Sequence, residues 1–147
     1  MFSAINPAVS GLHAASRRVE ASASNIANAR VSIDPDDART GDQPRRDQQA
    51  ENRPPPERPV YEPVRVYEST TKGGGVKAEF TPVDPPHVMV YDPDDRLANE
   101  DGMVGRPNVD YAREFVNMSQ AEHAYKANLK TIATENAMIG ALLNEVS

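Results

Sequence analysis

The histidines of this chain stand at positions 13, 87 and 123, and their spacing decides what they could do. A zinc or general-base pair on a helix needs a second His or a carboxylate one turn away, and none of them has one. His123 follows Glu122, but adjacent residues on a helix point in different directions. The tetrapeptide Asp-Pro-Asp-Asp occurs twice, at 34–37 and 92–95, the second followed by Asn99-Glu100-Asp101-Gly102. Clustered carboxylates suit calcium. The spacing nevertheless misses the EF-hand order, and no bidentate glutamate closes a loop, so turn formation is the better reading. Gly73-Gly74-Gly75 follows Lys72 instead of leading into Lys-Ser/Thr, which makes a hairpin turn and not a phosphate loop. There is no cysteine and no Gly-x-Ser-x-Gly turn to carry a nucleophile. The expectation is therefore no enzyme, no metal and no cofactor.

Chemistry also needs a rigid platform, and the composition supplies little. The chain has 147 residues, 38% hydrophobic and 5% aromatic, with 13 prolines, 8 glycines and no tryptophan. The division along the chain is sharper than the average. Residues 1–30 and 110–147 hold most of the long apolar side chains in regular spacing, while 31–109 holds all the prolines but Pro7. Residues 1–30 carry three arginines and one glutamate, whereas 31–109 carries ten basic and sixteen acidic residues. With a net charge of -6 and only isolated pairs such as Arg17-Arg18 and Arg45-Arg46, the chain is a poor nucleic-acid binder. No stretch reaches the ~18–20 apolar residues that span a bilayer, so no direct membrane insertion is expected. The first residues lack the basic and continuous apolar regions of a secretory signal.

The two ends read as helices that need partners. Asn6-Pro7 suggests a helix start, and Val9, Leu12, Ser16, Val19, Ala23 and Ile26 then step by three and four, a heptad stripe with two weak positions. A helix so rich in Ala, Ser and Asn is marginal alone in water. At the other end Asn108 is the expected cap. Tyr111, Phe115, Met118, Glu122, Tyr125, Leu129, Ile132, Asn136, Ile139, Leu143 and Val146 follow in one unbroken phase. Thirty-six residues of helix make a rod of roughly 54 Å. Glu122 and Asn136 fall on this seam: either drift of a straight helix turns them to solvent, or Asn136 fixes register as a buried polar group.

Between the helices, 31–59 has no periodicity and contains Pro54-Pro55-Pro56, so it reads as a loop, a linker or a segment that a partner orders. Runs at 60–68, 76–81 and 87–91 are rich in β-branched and aromatic residues and read as strands, the first two joined by the 71–75 turn. Such strands are marginal alone and should rest on the long helix or on another molecule. The predicted class is mainly α: long N- and C-terminal helices forming a coiled-coil-like pair, with a small β-hairpin or strand element and a Pro-rich loop between them. The segments are an N-terminal helix at 1–30, the loop at 31–59, the β element at 60–107 and the C-terminal helix at 108–147.

Particular residues narrow this class. Ser22-Ala23-Ser24-Asn25-Ile26-Ala27-Asn28-Ala29 resembles the Ala-Ser-Asn-Leu-Ala-Asn signature near the N-terminus of bacterial flagellar rod and hook proteins. Gly73–Glu79, Val90-Tyr91-Asp92-Pro93, Asn99–Val104, Pro107-Asn108-Val109-Asp110 and Tyr125–Ile132 follow in an order similar to the proximal-rod members of the flagellar basal-body rod family. The likeness covers roughly 1–30 and 60–147; residues 31–59 do not share it. It implies a structural subunit whose terminal helices pair and stack into a helical drive shaft around an export channel. The implied location is the periplasmic rod of the basal body, reached through the flagellum's own type III apparatus without a cleaved signal.

The implied partners are copies of itself, other rod proteins, the export apparatus and the proteins of the MS-ring/rod junction. The implied assembly interface comprises Val9, Leu12, Val19, Asn25, Ile26 and Asn28 on the first helix. On the second it comprises Phe115, Met118, Tyr125, Leu129, Ile132, Asn136, Ile139 and Leu143. The rival readings are a soluble coiled-coil adaptor or secretion chaperone, a calcium-responsive module, and a hook or distal-rod subunit.

Overall fold

A computed structural model of the chain describes residues 5–38 and 60–145. The elements run α1 (Ile5–Asn28), β1 (Val64–Thr70), β2 (Val76–Pro82), β3 (His87–Tyr91), β4 (Met103–Pro107) and α2 (Tyr111–Glu145). The expected mainly-α architecture is present, with two long helices and two small strand pairs, β1-β2 and β3-β4. The greater part of the expected Pro-rich loop, 39–59, lies outside the described residues. Contacts divide the described residues into two compact units. One takes the chain through Ala23, Arg65–Thr81 and the chain from Ala112; the other takes Ser24–Val64 and Pro82–Tyr111.

In the first unit α1 already includes Ile5, so Asn6 lies within the helix and is not its cap. Pro7 sits in the first turn, where its missing N–H has no intrahelical bond to lose. The two helices run antiparallel: Gly11 lies against Asn128, and Ser22 Oγ donates to Glu114 Oε2 at 2.6 Å. The β1-β2 hairpin rests on α1, a support that the expectation of the long helix or another molecule did not include. Ser10 Oγ accepts the Val76 N–H at 2.9 Å and donates to the Pro7 carbonyl at 2.7 Å. Arg18 Nε pairs with Glu68 Oε1 at 2.6 Å, and the Arg17 guanidinium lies 5.0 Å from the Phe80 ring centre. The tip needs its glycines. Gly75 has φ +106°, and a Cβ there would come within 2.6 Å of Ser10 Oγ. Gly75→Ala combines left-handed strain with loss of the Ser10 contact, and should favour opening of the hairpin by about 2–3 kcal/mol, read as faster limited proteolysis at 71–75.

The second unit contains a strand that the sequence reading omitted. β4 pairs antiparallel with β3, placing His87 opposite Pro107 and Val90 opposite Val104. On its other edge β4 meets Ile33, whose N–H donates to the Gly105 carbonyl and whose carbonyl accepts the Gly105 N–H, both at 2.9 Å. Gly105 permits this approach, since a Cβ would fall 2.6 Å from that of Ala38. Val104, Ile33 and Ala38 are buried here, so the stretch just after α1 is packed. Asn108 does not cap α2. Its N–H and side-chain Nδ2 donate to the Pro86 and Pro85 carbonyls at 2.8 and 2.9 Å, and the residue directly preceding the helix is Asp110.

Candidate functional site

The Asp-Pro-Asp-Asp segments form turns. Asp34 Oδ1 accepts the Asp36 N–H at 2.9 Å, and the Asp92 carbonyl accepts the Asp95 N–H at 3.2 Å. Asp92 and Asp95 are instead used by Arg106. Its Nη2 lies 2.7 Å from Asp92 Oδ2 and 3.5 Å from Asp95 Oδ2, while Nη1 donates to the Arg30 carbonyl at 2.8 Å. Ser32 donates to Asp95 as well, and together these contacts clasp the chain as it leaves α1.

The Ser32 hydroxyl, then the Leu97 N–H, then the neighbouring arginines hold the Asp95 carboxyl below its ordinary range. The native state therefore binds fewer protons than the unfolded chain around pH 4, so this contribution is present at neutral pH and is lost as pH falls through the native value. Asp95→Asn should flatten the pH dependence of limited proteolysis at 92–97 between pH 4 and 7.

His87 is 1% exposed, and its Nε2 donates to the Tyr61 carbonyl at 3.0 Å. It is a core histidine. Among the described residues no three His, Asp or Glu side chains gather into a metal site, and no helix is long and apolar enough to cross a membrane.

Surface chemistry lies elsewhere, on the helix pair. In the first unit α1 buries Ala8, Ala14, Ala15, Ala21 and Ser22, of which Ala8, Ala15 and Ser22 form one line with Gly11 beside it, and α2 buries Ala121, midway between Glu114 and Asn128. Small residues let two helices approach closely, and they turn the larger side chains outward. At 100° per residue, Leu12, Val19 and Val9 lie roughly 40–120° around α1 from Ala15; Tyr125, Leu129 and Phe115 lie roughly 40–120° around α2 from Ala121, in the same sense. Because the helices are antiparallel, that shared sense places both sets on one side of the pair. Their exposure agrees: Phe115 is 61% exposed, Leu129 45%, Tyr125 39%, Val9 38% and Val19 37%.

The remaining predicted residues are placed as follows. Leu12, Met118, Ile132 and Ile139 are half-buried, Asn136 is exposed, and Leu143 is 67% exposed near the end of α2. Glu122 is also exposed and pairs with Lys126 one turn on, whose ammonium lowers the carboxyl's pKa chiefly by hydrogen bonding. Ile26 and Asn28 are half-buried in the second unit, where the Asn28 side chain donates to its own helix at the Ser24 carbonyl. Asn25 is turned inward and 1% exposed. Its Nδ2 donates to the Val64 carbonyl at 2.7 Å, and its Oδ1 accepts the Val64 N–H at 3.0 Å and the Tyr61 hydroxyl at 2.9 Å. The sequence reading missed Gly11, Ser22, Glu114, Ala121 and Asn128. The signal available was the small-residue stripe Ala8, Gly11, Ala15 and Ser22, one position out of phase with the apolar one.

Two family models match the ends of the chain. "Flagella basal body rod protein" matches residues 5–31, and "Flagellar basal body rod FlgEFG protein C-terminal" matches 100–145. The flagellar basal-body rod protein FlgC of Salmonella typhimurium is 33% identical over 130 residues, covering 88% of this chain and 86% of the relative. The FlgC protein of Borreliella burgdorferi is 32% identical over 150 residues, covering 97% and 95%. That of Bacillus subtilis is 38% identical over 76 residues, about half of each chain. Both matched segments contain the helices that carry the exposed face, and the full-length likeness spans the strands between them. The chain belongs to the FlgC family of flagellar basal-body rod proteins.

Proposed function

We infer that this chain acts as a non-enzymatic structural subunit of the proximal rod, joining copies of itself and other rod proteins through the apolar face of its helix pair. The observation that carries the reading is the shared placement of Val9, Val19 and the half-buried Leu12 with Phe115, Tyr125 and Leu129, of which all but Leu12 are exposed within one protomer. Burial of such side chains contributes about 1.5–3 kcal/mol each, and the small-residue contact between the helices offers far less. Stability is thus transferred from the protomer to the assembly. In the basal body the stacked helices form the periplasmic drive shaft around the export channel. The chain reaches it unfolded through the flagellar type III apparatus, and the base of the shaft meets the MS-ring junction proteins.

The test is a strain whose own copy is deleted and replaced by this chain. Restored swimming, with the chain recovered in purified basal bodies, supports the reading. In solution, the isolated chain at low concentration should melt without a sharp cooperative transition and gain helix when rod partners are added. A sharp, concentration-independent melt, or a discrete dimer indifferent to rod partners, overturns it.

A further inference from the structure

The contact between α1 and α2 is keyed at two points. A Cβ on Gly11 would lie 2.6 Å from Asn128 Nδ2, 2.7 Å from Oδ1 and 2.8 Å from Cγ, so any larger residue there must displace the Asn128 side chain. Asn128 is itself held, its Nδ2 donating to the Ala124 carbonyl at 2.9 Å. At the other end Ser22, 2% exposed, donates to Glu114 Oε2 at 2.6 Å, and Asn117 Nδ2 lies 3.3 Å from the same oxygen. A slip of one turn either way brings Ala8 or Ala15, each with a Cβ, against Asn128. It also replaces Ser22 at Glu114 with Val19 or Ile26, neither of which can donate from its side chain. Both keys close at one stagger only.

That stagger also decides which residues of the exposed face lie side by side, because Val9 and Leu12 are fixed to Gly11 while Tyr125 and Leu129 are fixed to Asn128. A slip of one turn displaces one half of the face by about 5.4 Å against the other. We propose that Gly11–Asn128 and Ser22–Glu114 are register pins. They are positioning residues that set the stagger of the helix pair and so select the spacing at which neighbouring copies dock. This rests on the rod-subunit reading.

The chain has no cysteine, so reporter pairs can be introduced into the full-length protein, expressed as the sole copy in cells. Ala15→Cys with Ala121→Cys reports the native stagger under mild oxidation, and Ala8→Cys with Ala124→Cys reports a slip of one turn. Gly11→Leu should cut the native cross-link at least tenfold, raise the slipped one and stop swimming. Adding Asn128→Ala, which makes room for the larger side chain, should restore at least half of both native readouts. Ser22→Ala should shift the cross-links in the same direction. The exchange Ser22→Glu with Glu114→Ser should reverse the shift, which a general loss of stability would not do. Unchanged cross-links in Gly11→Leu and Ser22→Ala overturn the proposal, as does failure of both compensating exchanges. If the chain with native pins does not support swimming, the rod reading fails, and the cross-links still report on the pins.

Discussion

Phe115→Asp combined with Leu129→Asp is expected to abolish swimming in a strain that carries this chain as its only copy, while leaving the helix content of the isolated protein unchanged. Both side chains are exposed in the protomer, at 61% and 45%, so a carboxylate at either position meets water there and leaves nothing buried without a partner. The cost arises only on assembly. Losing two apolar anchors removes about 1.5–3 kcal/mol each, and a charge carried into the contact adds a desolvation penalty. A loss of about 3–6 kcal/mol lowers an association constant roughly a hundredfold or more. Sedimentation of cell-derived basal bodies with an antibody against the chain measures incorporation directly. Incorporation at the unsubstituted level would remove this face from the assembly. A matched pair on a polar side of α2, Lys130→Asp with Gln120→Asp, should leave incorporation within a factor of two.

The second large effect concerns the buried end of α1. Asn25→Leu should destabilise the second unit by about 3 kcal/mol, because it strips partners from the Val64 N–H, the Val64 carbonyl and the Tyr61 hydroxyl together. Water reaches part of the loss, since Tyr61 and Val64 are only half-buried. Asn25→Asp separates hydrogen bonding from shape. It keeps the acceptor toward the Val64 N–H but sets a carboxylate oxygen against the Val64 carbonyl, where asparagine donates at 2.7 Å. Burial and that carbonyl both favour the protonated acid, so its native pKa should rise above the unfolded value. The sign then follows: the native state binds more protons, stability falls as pH rises, and the variant is weakest at neutral pH and recovers toward pH 4. Proteolysis at 60–64, followed between pH 4 and 7.5, reads this out. A flat profile would mean that the Val64 bonds do not hold the unit.

The helices were legible because their signal is local. Heptad spacing over 111–143 and the absence of proline are sufficient for α2, and Gly73-Gly74-Gly75 is sufficient for the hairpin turn. β4 was not legible. Met103-Val104-Gly105-Arg106-Pro107 has a glycine and a proline where a strand is expected to have neither, yet both fit once the structure is known. Gly105 admits Ile33, and Pro107 ends the strand opposite His87. The Asn25-x-x-Asn28 motif marked the exit of α1 correctly but not its partners. Asn28 bonds its own helix, and Asn25 reaches Val64, 39 residues on.

The sequence by itself determined two helices, each with an apolar stripe too large to remain in water, and through its motifs the family to which such helices belong. It did not determine which stripe closes the pair. Each helix carries two adjacent lines, one of small residues and one of large, and periodicity alone favours the large one. Folding pairs the small one, because close approach lets Gly11 receive Asn128 and Ser22 meet Glu114 across 92 residues of chain. Those contacts are non-local and depend on fractions of an ångström of clearance, which only the assembled backbone sets. Much of the large line is left exposed in the protomer.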